Sequence, residues 1–550
     1  MRMKRIEIEN FRIYGSKKVF KPNNPLILIG ENDSGKSTLS YALEIFFSNY
    51  NIPHKKKDFH KLDTSKNILI AITFTDLSFK FKKKFNEYIA NEEIIIVKEY
   101  GYNEELKKFK KVITYFKYED FKSDALHGNE LRVLQHFLSE HIIIPAERRL
   151  STEARLKGSN LMRRLLDPLI DDASQQIKCF KKQALLTIKA EVQKRTKNLK
   201  QILLEANPTI QDLNVNPDID FTKGIDLNFE VIDNINELPI PIEEKASSSK
   251  SSFIMALFKL YAKEGINSDK DYIFSFEEPE IYLHPRAQRE LLNALKDVAA
   301  QGNQVFIITN STIFVDQENI ENITVFRRLE DNYDIKVISL EENKNMLSNI
   351  IEEINLKNSD FLFAEKILLV EGKTELEALP IFLEDRGVDF CNNGIKIMNL
   401  NRDDILDETF LNLCNDLGIE IMLLLNSDSK DRINELVNYN YIDKSLIISY
   451  RNGGFEDLFN RALIVKSFKK IYSEHEEVQN ADFTDFLNIN KYNTIDDLEL
   501  FLDESRLSKK GFRLDRSELG KEIGKTYCQK NYRIVSVESI IDKIINFFTS

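Results

Sequence analysis

Hydrophobic and polar positions change their rhythm several times along the chain. Residues 3–29 alternate strand signals with turns: MKRIEIENF, a break at Tyr14-Gly15-Ser16, then KKVF and PLILIG. The stretches NILIAITF, LSFKFKKKF, EEIIIVKEY and KKVITYFKY between residues 66 and 118 continue in the same style, and they predict an antiparallel sheet beside PLILIG. From Leu131 the period becomes helical. In residues 174–206, Leu185, Ile188, Val192, Leu199 and Ile202 form a heptad-like stripe that Asn207-Pro208 ends. That stripe suits an amphipathic helix on its own domain or a helical hairpin. Residues 245–330 read as α/β: a helix over 253–263, the strand YIFSF, a helix over 285–300 and the strand QVFIIT. After about residue 345 a βαβ rhythm begins: KILLVEG, ELEALPIFLED, IKIMNL, IEIMLLLNSD and KSLIISY predict a small parallel sheet, followed by a mainly helical tail.

Composition narrows the class. The 550 residues suit about three to four domains, and 42% apolar with 30% charged residues is globular composition. The 18 glycines exclude flexible glycine linkers and collagen-like repeats. The four cysteines (Cys179, Cys391, Cys414, Cys528) are scattered without a CxxC pair, which argues against a zinc ribbon or a disulfide framework. No h-region opens the chain and no apolar run reaches membrane-spanning length, so a cytoplasmic protein without a membrane partner is expected.

Gly30-Glu31-Asn32-Asp33-Ser34-Gly35-Lys36-Ser37-Thr38 fits GxxxxGK[ST], with the strand LILI feeding it and the helix STLSYALEIFF leaving it. Loop amides and a helix N-terminus make a positive cup for phosphate oxygens. Lys36 can reach the β- and γ-phosphates of ATP, and Ser37 can ligate Mg²⁺. A second half appears at Tyr272-Ile273-Phe274-Ser275-Phe276, an apolar strand ending in Glu277-Glu278-Pro279-Glu280. We assign Glu277 to the Mg²⁺ shell and Glu278 to the attacking water.

The long gap between these halves requires a large insertion. EEPEIYLHP, together with IENFRIYGS and GENDSGKST, resembles the ABC-type ATPases of the SMC/RecF/OLD group. The resemblance implies an ATPase head whose ATP site is completed by a second protomer, hence a homodimer or higher homo-oligomer through the heads. Two departures stand out. Where a Gly-rich signature is implied, the chain reads Lys245-Ala246-Ser247-Ser248-Ser249-Lys250-Ser251, with Ser248 the candidate donor to the nucleotide. Where a switch histidine is implied, the chain has Asn310, which donates a hydrogen bond but carries no charge. Both changes imply slow or conditional hydrolysis. Gly30, Asn32, Gly35, Lys36, Ser37, Thr38, Ser248 and Asn310 form the candidate ATP site.

Val370-Glu371-Gly372 at a strand–helix turn, with Leu423-Leu424-Leu425 running into Asn426-Ser427-Asp428, resembles a Toprim domain. An ABC-type head plus a C-terminal Toprim is the layout of OLD-family (overcoming lysogenization defect) nucleases, including Gabija-type and retron-associated antiphage effectors. The resemblance implies an α/β fold: an SMC/RecF-like head with a helical insertion, then a Toprim-like parallel-sheet domain. Boundaries are expected at 1–150 for the N-terminal ATPase lobe, 151–208 for the insertion and possible dimerisation element, 209–345 for the C-terminal lobe, and 346–550 for the Toprim-like part.

It also implies Mg²⁺ or Mn²⁺ held by Glu371, Asn426, Asp428 and Glu456 (Asp457 is its acidic neighbour), with Glu371 as ligand or general base. A basic residue near the C-terminus is implied as well: Arg516, or Lys521 in its place. Asn426 departs from the pattern, because the amide keeps the shape of Asp without its charge. Three readings stay open: a natural enzyme with a weakened site, a DNA-binding or regulatory module, or an Asp→Asn change installed by experiment.

The net charge of −11 hides an asymmetry. Residues 1–200 hold 39 Lys+Arg against 25 Asp+Glu, and residues 201–550 hold 38 against 63. Basic clusters at Lys55-Lys56-Lys57, Lys80 with Lys82-Lys83-Lys84, Lys107-Lys108 with Lys110-Lys111, Arg148-Arg149 and the lysines of 181–200 place DNA-backbone contacts in the first 200 residues. Phe79, Phe81 and Phe85 interleave with Lys80 and Lys82-Lys83-Lys84, which suits a half-buried strand or, alternatively, a phosphate-tracking surface. The function expected is an ATP-regulated, metal-dependent DNA endonuclease or nickase in antiphage defence. The alternative is an ATP- and DNA-binding sensor or scaffold that recruits a defence-system partner protein.

Overall fold

The computed structural model describes the chain apart from residues 48–55, 106–107, 111, 119–120, 146–229, 233–238, 242–243, 245–271, 282, 330–333, 354–356, 390–393, 401–407, 427–429, 440, 451–452, 490–492, 530–531 and 550. The helical stripe of 174–206, the helix over 253–263, Ser248, Asp428 and the lysines of 181–200 therefore lie outside the described residues. The chain divides into two compact units. Met1–Glu318 with Asn322–Ser339 form one, and Asn319–Glu321 with Leu340–Ser550 form the other.

The first unit has two six-stranded sheets. One is antiparallel, in the order Lys18–Phe20, Arg2–Glu9, Ile68–Thr75, Ile94–Tyr100, Ile113–Tyr118 and Phe121–Lys122. The alternation of Ile6 and Ile8 with polar neighbours buries one face against the core. The second sheet runs Glu140–Ile144, Tyr272–Glu277, Gln304–Ile308, Leu26–Gly30, Ile323–Leu329 and Asp334–Ser339. Its pairs are parallel except the last. The last two strands are not signalled by the apolar pattern. They matter to the site, because Phe326 stands in register with Gly30.

One sequence expectation fails here. Residues 79–85 form a helix, Phe79–Phe85, not a strand. Phe81 and Phe85, four apart, share the buried face, while Phe79 is 82% exposed. The Ser78 side chain accepts from the Phe81 N–H and caps the first turn. An alternation of only three phenylalanines satisfies both periods, and the cap decides for the helix.

The helix Lys36–Phe47 that leaves the loop is secured at its far end. Lys98 is 4% exposed, and its Nζ donates to the Phe46 carbonyl. Tyr100 Oη donates to the Ile45 carbonyl at 2.9 Å. A cation there meets the negative end of the helix dipole. Burial nevertheless lowers the Lys98 pKa from 10.5 to about 8. Between pH 8 and 10.5 the unfolded chain then binds the extra proton, so this group makes stability rise with pH across that window. Below pH 8 its penalty is constant. Unfolding titrations at pH 7, 9 and 10 should show the protein gaining on a Lys98→Met variant as pH rises. A constant difference would contradict this account.

The second unit holds a four-stranded parallel sheet ordered Ile395–Asn399, Lys366–Val370, Glu420–Asn426 and Ile447–Tyr450. The expected strands and the helix Lys373–Asp385 all form. In such sheets side chains that follow the carboxyl ends of adjacent strands converge, and here those positions are Glu371, Asn426 and Tyr450. The helix Arg516–Gln529 packs tightly on Lys373–Asp385 through two glycines one turn apart. A Cβ on Gly520 would stand 2.6 Å from the Thr374 carbonyl, and one on Gly524 would stand 2.9 Å from Ile381 Cδ1. The close approach brings Arg516 to the start of the Lys373–Asp385 helix.

Candidate functional site

In the first unit the phosphate loop lies between Leu26–Gly30 and the helix Lys36–Phe47, where the backbone must turn sharply. Gly30 has φ +141°, and a Cβ there would lie 2.2 Å from the Phe326 carbonyl oxygen. Gly35 has φ +95°, with Ile13 Cγ2 2.7 Å from the same virtual atom. No other residue fits either position without moving its neighbours. Tyr14 Oη donates to the Gly35 carbonyl at 2.7 Å, tying the IENFRIYGS turn to the loop.

Lys36 is buried and folds over the loop, donating to the carbonyls of Gly30 at 2.6 Å and Glu31 at 2.7 Å. Burial lowers its pKa, and the charges of Glu278, Glu31, Asp33 and Glu280 oppose that shift. Arg327 pairs with Glu31 at 3.3 Å. The structure brings Glu277 to Ser37, whose hydroxyl hydrogen-bonds to its carboxylate. Glu277 Oε1 is buried without a hydrogen-bond partner, and burial raises the group's pKa. A hydroxyl beside an incompletely satisfied carboxylate suits Mg²⁺, which takes hard oxygen donors and completes its shell with water and phosphate.

Glu278 adopts φ 44°, the left-handed region, while its N–H donates to the Ile308 carbonyl at 2.8 Å. A glutamate held there stores backbone strain that the sheet must overcome. Asn310 stands across the loop. Its side chain reaches Asn32 Oδ1 at 3.4 Å in one amide orientation, and the Gly30 and Thr309 carbonyls at 3.2 Å in the other. Glu280, which the sequence reading left without a role, accepts from the Asn310 N–H at 2.9 Å.

In the second unit, Glu371 follows Val370, and its Oε2 accepts from the Asn426 N–H at 2.6 Å. Two carboxylates join it. Glu375, one helical turn on, is 3% exposed and accepts from Tyr450 Oη at 2.7 Å. Burial pushes its pKa up to about 7. The Tyr450 hydrogen bond opposes the shift, while the charges of Glu456 and Glu371 add to it. Glu456, also buried, accepts from the Thr374 hydroxyl, which lies 3.5 Å from the Arg516 carbonyl. Glycines seat both acids: a Cβ on Gly372 would stand 2.2 Å from Glu375 Oε2, and one on Gly454 would stand 2.7 Å from Glu456 Oε2.

The neighbouring acid Asp457 is spent on structure. Its oxygens accept from the Gly454 N–H at 2.8 Å, the Thr494 N–H at 2.9 Å and the Asn493 N–H at 3.2 Å. Lys521 is paired with Glu377 at 3.4 Å, whereas Arg516 is exposed at the helix start. Glu375 was visible in the sequence only as an acid four residues after Glu371. Its burial, Tyr450 and Thr374 come from the fold. Among the described residues no group of three or more His, Cys, Asp or Glu side chains is arranged as a ready metal cage, and Asp428 lies outside them. The donors present are carboxylate oxygens, which is the ligand chemistry of Mg²⁺ and Mn²⁺.

A family model described as an AAA ATPase domain matches residues 1–315. A model described as the Toprim domain of proteins like the overcoming lysogenization defect protein matches residues 362–428. The OLD nuclease of Thermus scotoductus is 24% identical over 69% of this chain and 74% of its own length. The Old nuclease of Escherichia phage P2 is 23% identical over 87% and 88%. Endonuclease GajA of Bacillus cereus is 23% identical over 78% and 76%. Among solved structures, an SMC head domain from Thermotoga maritima aligns over 62% of this chain and 99% of its own, at 12% identity and a TM-score of 0.32.

Proposed function

Because the chain belongs to the OLD family, with an AAA-type ATPase domain followed by an OLD-like Toprim domain, we propose that its first unit hydrolyses ATP and thereby governs a metal-dependent cut that its second unit makes in DNA. One observation carries this reading above the rest. A single chain contains both a Ser37–Glu277 pair behind a phosphate loop and Glu371, Glu375 and Glu456 at the carboxyl end of a parallel sheet. Serving antiphage defence is the biological role that fits relatives of this kind.

The division of labour follows from the side chains. Lys36 neutralises phosphate charge, Ser37 and Glu277 hold Mg²⁺, and Glu278 orients and deprotonates the attacking water. Asn32, Asn310 and the loop amides position the nucleotide, with Ser248 from a second protomer. In the second unit Glu371 and Glu456 would hold Mg²⁺ or Mn²⁺ together with Asp428, with Asn426 as a neutral ligand. Bound there, the ion would polarise the phosphodiester and activate water. Arg516 offsets charge on the phosphate. Heads pairing as a homodimer or higher homo-oligomer, a defence-system partner and a cytoplasmic location complete the proposal. No helix among the described residues is long and apolar enough to cross a membrane.

The test is supercoiled plasmid incubated with Mg²⁺ or Mn²⁺, with and without ATP. The parent chain should nick or linearise it, and Glu371→Ala should lose about 10³-fold or more of that rate. Asn426 favours a second reading, a scaffold that binds ATP and DNA and cuts nothing. Retained DNA binding, with no cutting by either the parent or Asn426→Asp, would select the scaffold.

A further inference from the structure

Glu280 sits on the turn after the Tyr272–Glu277 strand, where Ile281 N–H donates to the Glu278 carbonyl at 3.1 Å and Leu283 N–H to the Glu280 carbonyl at 2.9 Å. Its side chain does not join the loop. Oε1 accepts from the Asn310 N–H at 2.9 Å, the Thr309 hydroxyl also bonds to the carboxylate, and Oε2 is buried without a partner. The carboxylate thus joins the ends of two parallel strands, Tyr272–Glu277 and Gln304–Ile308, on the side where Lys36 feels its charge. Thr309 is itself fully buried, and its N–H donates to the Leu28 carbonyl at 3.1 Å. Asn310 is neutral, and its amide has two alternative sets of partners across the loop. A neutral amide gains less from phosphate than a cation does, so its effect depends more on where the backbone holds it.

Resting on the ATPase reading above, we infer that Glu280 is a positioning residue for hydrolysis: it fixes the backbone of Thr309 and Asn310 so that the Asn310 amide serves the chemical step. It touches neither the loop backbone nor Ser37, so nucleotide binding should survive its loss.

The experiment measures kcat and KM for ATP in the full chain, for the parent, Glu280→Ala, Glu280→Asp, Glu280→Gln, Asn310→Ala, the Glu280→Ala/Asn310→Ala double variant and Lys36→Ala. Glu280→Ala should lose about tenfold in kcat with KM within about twofold, the pattern of an interaction used after binding. Glu280→Asp keeps the charge but falls one methylene short, so it should behave like Glu280→Ala. Glu280→Gln retains an oxygen that accepts from the Asn310 N–H and should keep most of the activity. The double variant should be no slower than Asn310→Ala, since both act on one group. Additive losses, an active Glu280→Asp, or a rise in KM at constant kcat would overturn the inference. A parent no faster than Lys36→Ala would instead remove the ATPase reading, and this inference with it. The Asp and Gln variants keep a polar group in the buried site, so the cycle does not depend on the alanine variant folding.

Discussion

Glu278→Gln is expected to lower ATP turnover by about 10²–10⁴-fold while ATP affinity stays within about twofold. Glutamine keeps the size and hydrogen-bonding reach of the side chain and removes its negative charge, and with it the capacity to take a proton. The backbone argues for this residue over its neighbours. Glu277 is committed to Ser37, and Glu280 to Thr309 and Asn310. Glu278 alone of the three sits in a left-handed conformation, at φ 44°, pinned by its N–H to Ile308. Strain of that kind, of order 1–3 kcal/mol, persists where the surrounding fold imposes it. Single-turnover hydrolysis beside equilibrium nucleotide titration separates the two quantities. A loss of affinity equal to the loss of rate would mean that Glu278 holds nucleotide rather than activating water. The same variant tests the coupling between the units. If ATP restrains cutting, plasmid cleavage by Glu278→Gln should stay restrained for as long as ATP is bound, whereas the parent escapes as ATP is consumed.

What the sequence made legible was local. The loop Gly30–Thr38 and its flanking strand and helix are contiguous, so periodicity and motif point the same way. The strand before Glu277 and those before Glu371 and Asn426 are apolar runs too short to be helices. The failures are non-local or ambiguous. FKFKKKF carries both a two-residue and a four-residue spacing of phenylalanine, and only the Ser78 cap and the burial of Phe81 with Phe85 resolve it. The strand Ile323–Leu329 mixes apolar and charged residues, yet its Phe326 carbonyl is what forces glycine at position 30. Glu375 reads as a solvated helix acid until the fold buries it under Tyr450. The choice between Glu456 and Asp457 likewise depends on Thr494, which lies almost forty residues away and occupies Asp457.

Asn426→Asp is the substitution expected to raise activity most. Asn426 ends the strand Glu420–Asn426 beside Lys366–Val370, and its N–H donates to Glu371 Oε2 at 2.6 Å. The backbone at position 426 is therefore already in contact with the acid that begins the site. Replacing the amide by a carboxylate adds one negative charge to a site that must attract a divalent cation, at no cost in shape. Losing an outer partner alone changes metal affinity by 10–100-fold in comparable sites, so a gained inner charge should lower the Mn²⁺ concentration for half-maximal cutting by about 10-fold or more. The opposing effect is repulsion. Glu375 is already pushed up to about 7 by burial, with Glu456 and Glu371 contributing, and a further carboxylate nearby raises the cost of the metal-free state. Asn426→Asp should therefore be less stable than the parent without metal, and should recover that stability as Mn²⁺ is added. Thermal unfolding with and without Mn²⁺, beside a plasmid-cleavage titration, reads both effects. A variant that gains neither metal-dependent stability nor cutting would show that position 426 lies outside the ion's reach. The second unit would then be a binding module that keeps the Toprim fold without its chemistry.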